Sequence, residues 1–544
     1  MRKEFLIFVI FLLGTIMITG LFLPEVFWSM ILIGPILIIG FYDFFQTRHS
    51  IRRNFPVLGR FRYLFELIRP EINQYFVESN IDGTPFNREQ RSVVYRRSKN
   101  QMDSLPFGMQ HNIDKTGYEW INHSLSPKHI ERNHLRVTVG GPDCKQPYSA
   151  SLLNISALSY GSISKNAVLA LNGGAKDGNF AHNTGEGGIS TYHLEPGGDL
   201  IWQIGTGYFG CRKETGDFCE QTFQKNSNYS QVKMIEIKLS QGAKPGHGGL
   251  LPAKKVSKEI SEIRGVPMGK DIISPPAHSV FSTPVELMNF VAHLRELSNG
   301  KPVGFKLCIG NPHEFFAICK AMKITGITPD FISVDGGEGG TGAAPMEFMN
   351  YVGSPGIHSL ILVHNALTGF SIRDRVRIFA TGRVINGFDI IKLLALGADA
   401  IYSARAMMMA LGCIQALRCN TNNCPTGVAT QKPFLVAGLE VNDKRKRVEM
   451  FHKKTIESVA HLLGAMGLKG TNDLRPEHII RRINLTKIQN YAELYDFLED
   501  GALLKEPLPD QYAQAIQDAT VDSFDKQPFC LSKSPTDARN ASRA

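Results

Sequence analysis

From Leu152 onward the chain repeats a unit that few folds accommodate: a short apolar run, a Gly- or Ser-rich loop, then a segment of helical periodicity. The runs Leu152 to Ser156, Met234 to Leu239, Val303 to Leu307, Phe331 to Val334, Val376 to Phe379 and Ala400 to Ser403 read as strands. Pro284 to Ser298, Pro312 to Ile324, Ile357 to Thr368 and Gly387 to Leu396 read as helices between them. Sustained over roughly 260 residues, this alternation predicts an α/β fold of the (β/α)8 TIM-barrel type. A doubly wound sheet is the competing solution, and GTGYFG at Gly205 to Gly210 has the outline of a dinucleotide fingerprint. The CRKETGDFC that follows has no helical pattern, and no acidic ribose partner closes a βαβ unit, so the match reads as a turn.

A barrel carries its chemistry on the loops that follow its strands, with a phosphate site formed by the last two. Here those loops hold Gly382 and Arg383, then Ser403, Ala404 and Arg405. Glycine lets backbone approach phosphate oxygens, while Arg and Ser supply charge and donors. The run DGGEGGTGAAP, which opens with Asp335, Gly336 and Gly337, holds more glycine than packing needs and fits backbone lying against a flat ligand. Lys306 ends an otherwise apolar strand, where a buried cation needs a negative partner. A flavin, anionic at its N1 edge on reduction, is one such partner; a Lys snorkelling out of the barrel end is the other reading.

Cys413, Cys419 and Cys424 form a C-x5-C-x4-C array closed by Pro425, and three thiols so close in sequence can converge on one iron–sulfur cluster. An odd number disfavours disulfides, zinc wants a fourth ligand, and unligated structural Cys is the remaining alternative. A cluster also needs reduced thiols, hence a reducing compartment for the catalytic portion. The net charge of +10 invites nucleic acid, but no basic stretch is interleaved with stacking aromatics, and no such partner is expected.

The basic excess gathers instead at Arg48, Arg52, Arg53, Arg60 and Arg62, directly after two apolar runs, Phe5 to Leu23 and Val26 to Tyr42. The first is long enough to cross a bilayer; the second is slightly short and carries Pro35. A cleaved signal peptide is the alternative, but the first run lacks a small-x-small cleavage site. The expectation is a two-helix transmembrane hairpin, multi-pass, with Arg2, Lys3 and the Arg cluster holding both ends and the catalytic domain on the cytoplasmic side. Helix and loop follow from Gly59 to Asn112, with Pro70 closing the first helix and no residue that carries chemistry. The expected divisions are a hairpin at 1–47, a helical extension at 48–145, the barrel with its cysteine loop at 146–470, and a helix with a polar, disordered tail at 471–544.

Six motifs then converge: SALSYGSIS from Ser156, NTGEGG from Asn183, QGAKPGHGG from Gln241, ISPPAH from Ile273, DGGEGGTGAAP from Asp335 and GCIQALRCNTNNCPTGVATQ from Gly412. Together, across about Pro147 to Gly467, they resemble the FMN-binding synthase domain of glutamate synthase. The resemblance implies FMN at the C-terminal face of the barrel, with Ser156, Ala157 and Ser159 joining Lys306 and the glycine loops around it, and a [3Fe-4S] cluster on the three Cys. It implies an oxidoreductase acting on CH-NH2 donors: ammonia and 2-oxoglutarate form 2-iminoglutarate, which reduced flavin converts to glutamate. Glu186, Gln241, Lys244 and Arg264 would face the substrate. Lys244 and Arg264 suit a dicarboxylate, Glu186 suits proton shuttling or bracing its own loop, and Gln241 suits a hydrogen bond to the oxo acid or to the glycine loop.

The departures bear on function. The related pattern has Glu where this chain has His247 and Gln where it has Leu250, which removes a polar group from the oxo-acid pocket. Neither a glutaminase at the chain start nor a β-helix domain after Gly470 is seen, so ammonia from solution or a partner and a protein electron donor are expected. The alternative is a flavin and iron–sulfur electron-transfer module of a membrane complex.

Overall fold

The computed structural model describes residues 2–526, and the chain forms two units, Met1–Glu89 and Gln90–Ala544. In the first, α1 (Arg2–Phe22) and α2 (Met30–Phe45) are joined by a 3-10 turn at Pro24–Ser29. They run antiparallel: near the start of α1 the Phe5 ring meets Phe41 edge-on at 5.8 Å, near the end of α2. Gly20 permits the close turn, since a Cβ there would stand 2.5 Å from the Phe27 ring. α2 runs unbroken through Pro35, and the two segments, of 21 and 22 residues, are long and apolar enough to cross a membrane. A third helix, α3 (Gly59–Ile72), contains Pro70 and does not stop at it. The expected stop fails because Pro70 forfeits only its own bond, to Glu66, and the helical path runs on through a π-helical turn at Asn73–Val77.

The second unit is the barrel. Its eight parallel strands are β1 (Leu153–Ile155), β2 (His182–Asn183), β3 (Leu200–Ile204), β4 (Val232–Lys238), β5 (Val303–Cys308), β6 (Phe331–Asp335), β7 (Arg377–Thr381) and β8 (Ala400–Ser403). Each pairs with its sequence neighbour, and β8 closes on β1 with Ile401 opposite Leu153. β2 and β3 are additions to the strands read from sequence. β2 is two polar residues, and β3 interrupts its apolar run with Gln203.

Both turn amides into the barrel: Asn183 and Gln203 each donate to Glu236 Oε1 at 2.7 Å, and Ser333 donates to Oε2 at 2.5 Å. The upper interior is therefore a polar layer centred on Glu236, in which the buried Tyr402 hydroxyl is left without a hydrogen-bond partner among the described residues. Its floor is apolar, with Ile201, Met234, Phe331, Phe379 and Tyr402 packed on Val139, Tyr148 and Ala150 of a two-stranded ribbon, Arg136–Val139 with Tyr148–Ser151. Each Phe fully buried here contributes about 2 kcal/mol.

Helices between strands start on sequence-encoded caps. Thr283 and Glu286 form a capping box at Pro284–Leu297, and Asn386 and Asp389 form another at Gly387–Ala395. GTGYFG is a turn after β3, with Tyr208 at φ 48° and Gly210 at φ 87°. Beyond residue 470 a three-stranded sheet joins Glu119–Ile121, Ile479–Arg482 and Ile488–Asn490. The helix Asp510–Asp518 docks on Pro312–Thr325, where Lys320 Nζ donates to Ile516 O at 2.7 Å. The polar tail lies outside the described residues.

Candidate active site at the C-terminal face of the barrel

β4 ends in Lys238, whose Nζ lies 2.9 Å from Glu186 Oε1. Glu186 sits in the loop after β2, between two glycines. A Cβ on Gly205 would lie 2.7 Å from the Glu186 Cβ, and one on Gly249 would overlap its carboxylate. Lys244 is buried in the loop after β4 and donates to Ala343 O at 3.2 Å. Arg264 ends the short helix Lys258–Arg264; its Nη2 donates to Tyr160 O at 3.1 Å, its guanidinium lies 5.2 Å over the Phe209 ring, and its buried Nε has no partner.

Burial pushes the Glu186 carboxyl up, but Lys238, then Lys244 and Arg264, outweigh it and hold the pKa below its ordinary value. Burial, reinforced by Lys238, depresses Lys244 to about 8, and burial brings Arg264 to about 10. Three cations thus surround one carboxylate in a buried space. His278, from ISPPAH, fixes this strand end: burial lowers it to about 4, so it is neutral, and its Nε2 lies 2.9 Å from Lys238 O. Facing a carbonyl, Nε2 carries the proton, which leaves Nδ1 to accept from Tyr208 Oη at 3.1 Å.

Beside this set, Lys306 Nζ lies 3.1 Å from Asp335 Oδ2, which also accepts from Gly242 N at 3.0 Å, while Thr381 donates to Asp335 Oδ1. Burial opposes both charges, yet Lys306 is raised by Asp335 and Glu236, and Asp335 is lowered chiefly by Lys306. Lys306 is buried, so it does not snorkel; its negative partner is a carboxylate of the protein. Glu338 accepts from Gly356 N at 3.1 Å, at the N-terminus of the helix Gly356–Gly369.

Gly382 faces that carboxylate across open space, with the nearest atom to an added Cβ, Glu338 Oε1, at 4.0 Å. Arg405 Nη2 donates to Glu338 O at 2.9 Å, and Arg383 is exposed. A helix N-terminus and an open glycine thus border the Glu338 carboxylate with arginines close by, an arrangement chemically suited to an anion. Ser403 Oγ donates to Val384 O at 3.1 Å, and Ser156 N donates to Ser403 O at 3.2 Å, which ties the loops after β8 and β1 together. Ala157 and Ala404 are half-buried in the same loops, and Gly337 N donates to Ser354 O at 2.8 Å. Ser159 stands apart from this group, beside Arg264 Nη2 at 3.5 Å.

The two groups adjoin. A Cβ on Gly242 would collide with Gly336 O, so the loops after β4 and β6 touch backbone to backbone, with Gln241 half-buried at the junction. Lys238 and His278 were not singled out from sequence. The argument that picked out Lys306, a cation ending an apolar strand, applies equally to Lys238.

Cys413, Cys419 and Cys424 are free thiols. Burial, with the neighbouring thiols adding to it, raises Cys413 to about 12 and raises Cys419, whereas at Cys424 burial is outweighed by hydrogen bonds, led by that of Thr426, which lower it. Among the described residues no three metal-binding side chains are drawn in around a single ion. A cluster spreads its thiolates over several irons, so wider spacing still fits. The surroundings fit an anion as well: Lys255 is buried, held by Ser162 O at 2.7 Å, and depressed to about 8 by burial against the pull of Cys419 and Cys424. Tyr95 Oη donates to Cys413 O at 2.8 Å and Asn422 Nδ2 to Lys254 O at 2.8 Å, fixing both ends of the loop.

Residues 111–469 match the conserved region in glutamate synthase. The chain belongs to the glutamate synthase family. It is 38% identical to the glutamate synthase large subunit-like protein YerD of Bacillus subtilis, covering 80% of this chain and 90% of that one. It is 36% identical to an archaeal glutamate synthase [NADPH] of Methanocaldococcus jannaschii, over 66% of each chain. An archaeal-type glutamate synthase [NADPH] of Thermotoga neapolitana is 36% identical over 59% of this chain and 60% of that one. The chain thus spans nine-tenths of the first and two thirds or less of the other two. Among solved structures, a mutant flavocytochrome b2 with pyruvate bound is matched at 12% identity and TM-score 0.40, over 80% of this chain and 91% of that one, too distant to bear on function.

Proposed function

We propose that the chain is a glutamate-synthase-type oxidoreductase that binds FMN and a [3Fe-4S] cluster and reductively aminates a 2-oxo acid, 2-oxoglutarate or a near analogue, with ammonia. The observation that carries this reading is the buried set of Lys238, Lys244 and Arg264 around Glu186. A dicarboxylate neutralises the two charges in excess. Arg264 offers its unpartnered Nε to a carboxylate, and Lys244 a second cation. Glu186, held ionised, takes a proton from the attacking nitrogen and passes it to the carbonyl oxygen, giving the carbinolamine, and a second such transfer lets that oxygen leave as water and the imine form. His278 keeps Lys238 in place, and Gly205 and Gly249 wall Glu186 in while leaving its side chain 17% exposed.

When bound, the flavin supplies the hydride that reduces the imine. Gly382, Arg383, Arg405 and the Gly356 N–H would hold its phosphate. Ser156, Ala157, Asp335, Gly336, Gly337, Ser403 and Ala404 would line its loops, with Lys306 charged beside it and Ser159 and Gln241 toward the substrate. Cys413, Cys419 and Cys424 would hold the cluster, fed by a protein electron donor. The hairpin, 1–47, tethers the extension, 48–145, and the barrel, 146–470, to the cytoplasmic face of a membrane.

The test is to reduce purified protein anaerobically and add 2-oxoglutarate with ammonium at alkaline pH, where the amine is unprotonated. Prompt reoxidation is expected, with glutamate formed. The second reading, an electron-transfer module, rests on half-buried Leu250 at the rim of the site, and takes over if no pair of amine and oxo acid reoxidises the protein.

A further inference from the structure

The first unit carries an apolar surface that its two long segments do not use. α3 presents Phe61, Leu64, Phe65, Ile68 and Ile72 at the spacing of one helical stripe, and all five are exposed, Phe65 at 59%. Arg62, Glu66 and Arg69 lie on the flank away from it, Arg62 pairing with Glu66 at 3.2 Å. From Gln46 to Arg69 the sequence has six arginines and one acidic residue, Glu66. An apolar stripe bounded by such an excess of guanidinium groups is complementary to phosphate headgroups over acyl chains.

The position of α3 is fixed. Arg60, in its first turn, donates Nε at 2.7 Å and Nη2 at 2.8 Å to the buried Asp43 carboxylate in the last turn of α2. A Cβ on Gly59 would stand 2.9 Å from Ile51 O, so the helix start is pressed onto the short helix Ser50–Asn54. Arg2 Nη2 donates to Phe44 O at 3.3 Å, which brings the N-terminal charge to the same end. The clamp holds an amphipathic helix at the end of a membrane-length segment.

We infer that α3 is a binding surface for anionic phospholipid, lying in the headgroup plane with Phe61, Leu64, Phe65, Ile68 and Ile72 toward the acyl chains and Arg52, Arg53, Arg62 and Arg69 on lipid phosphates. The inference rests on the hairpin reading above, which supplies the membrane that α3 meets.

The experiment places full-length protein in lipid nanodiscs of phosphatidylglycerol and phosphatidylcholine whose acyl chains are brominated near the headgroup. Tryptophan is introduced as Phe65→Trp or, on the polar flank, Arg62→Trp, with wild-type emission subtracted. Emission from position 65 falls about twofold in the brominated anionic discs and that from position 62 does not. In discs of phosphatidylcholine alone the loss at position 65 shrinks. Equal quenching at the two positions, or none at position 65 while acrylamide in the water quenches it, overturns the inference. No quenching at position 65 by either agent assigns the stripe to protein packing and overturns it too. Membranes washed in alkaline carbonate separate the two readings: release of the wild-type chain overturns the hairpin and this inference with it, whereas retention with position 65 unquenched overturns this inference alone.

Discussion

Lys244 is the group whose titration should be visible in substrate binding. Its pKa in the free site is about 8 against an ordinary 10.5, lowered first by burial and then by Lys238, with Glu186 pulling the other way. The free site therefore keeps its third cation below that value and loses it as pH rises through about 8. A substrate carboxylate against the ammonium favours the charged form and draws the pKa back up. The gap between the two values is worth about 3 kcal/mol, a ceiling reached only if the ligand restores the ordinary value in full.

Affinity for 2-oxoglutarate should be level below about pH 7, then weaken about tenfold per pH unit above about pH 8 until the bound-state pKa is passed. Isothermal titration calorimetry on full-length protein, in two buffers of different ionisation heat, measures both the affinity and the protons exchanged. Near one proton should be taken up per ligand at about pH 9. Lys244→Met should bind more weakly, with no pH dependence in this range. A wild-type affinity that stays level through this range with no proton uptake refutes the assignment of Lys244 to a substrate carboxylate.

Cys419→Ser should lose iron and the paramagnetic signal of a three-iron cluster, read by metal analysis and electron paramagnetic resonance; unchanged iron sinks the cluster assignment. Lys238→Met removes the 2.9 Å partner of Glu186 and should raise the Glu186 pKa, shifting the acid limb of the rate profile upward and slowing turnover on the order of a hundredfold; an unmoved limb counts against Glu186 as the base. Gly242→Ala has nowhere to put its methyl against Gly336 O and should cost on the order of 3 kcal/mol in stability, seen as a lower Tm with flavin loss; a native Tm would mean the two loops are not in contact. Leu250→Gln should tighten 2-oxoglutarate binding relative to monocarboxylate oxo acids, by competition assay; no change in that ratio removes Leu250 from the pocket.

The barrel was legible in sequence wherever its strands are buried on both sides and so read as continuous apolar runs. β2 and β3 escaped because the upper barrel interior is polar, and a strand that turns Asn183 or Gln203 inward to Glu236 breaks the apolar run that marks its neighbours. Lys306 stood out as a lone charge in an apolar strand. Lys238 ends VKMIEIK, where Lys233 and Glu236 hide it, though Lys233 is half-buried beside Asp199 and Glu236 faces the core. Pro70 misled because a proline removes one backbone donor and the helical path still runs on, in π form, through Asn73–Val77. The cysteine spacing was plain in sequence, but Lys255, about 160 residues upstream, comes beside those thiols only through the fold.

That placement of Lys255 ties the parts of the site into one device. A single stretch leaves the end of β4 with Lys238, carries Lys244 into the pocket, presses Gly249 on Glu186, buries Lys255 beside Cys419 and Cys424, and ends with Arg264 back at the pocket. Two hydrogen bonds hold its middle: Asn422 of the cysteine loop donates to Lys254 O at 2.8 Å, and Lys255 donates to Ser162 O, in the loop after β1, at 2.7 Å. The cation beside the sulfurs, Lys255, is therefore on the same stretch of backbone that bears Lys244 and Arg264. Lys244, with a depressed pKa, is the group on that stretch whose charge is most readily changed. On the function proposed above, the cluster and the oxo-acid pocket would share this one stretch of about 25 residues as their common wall.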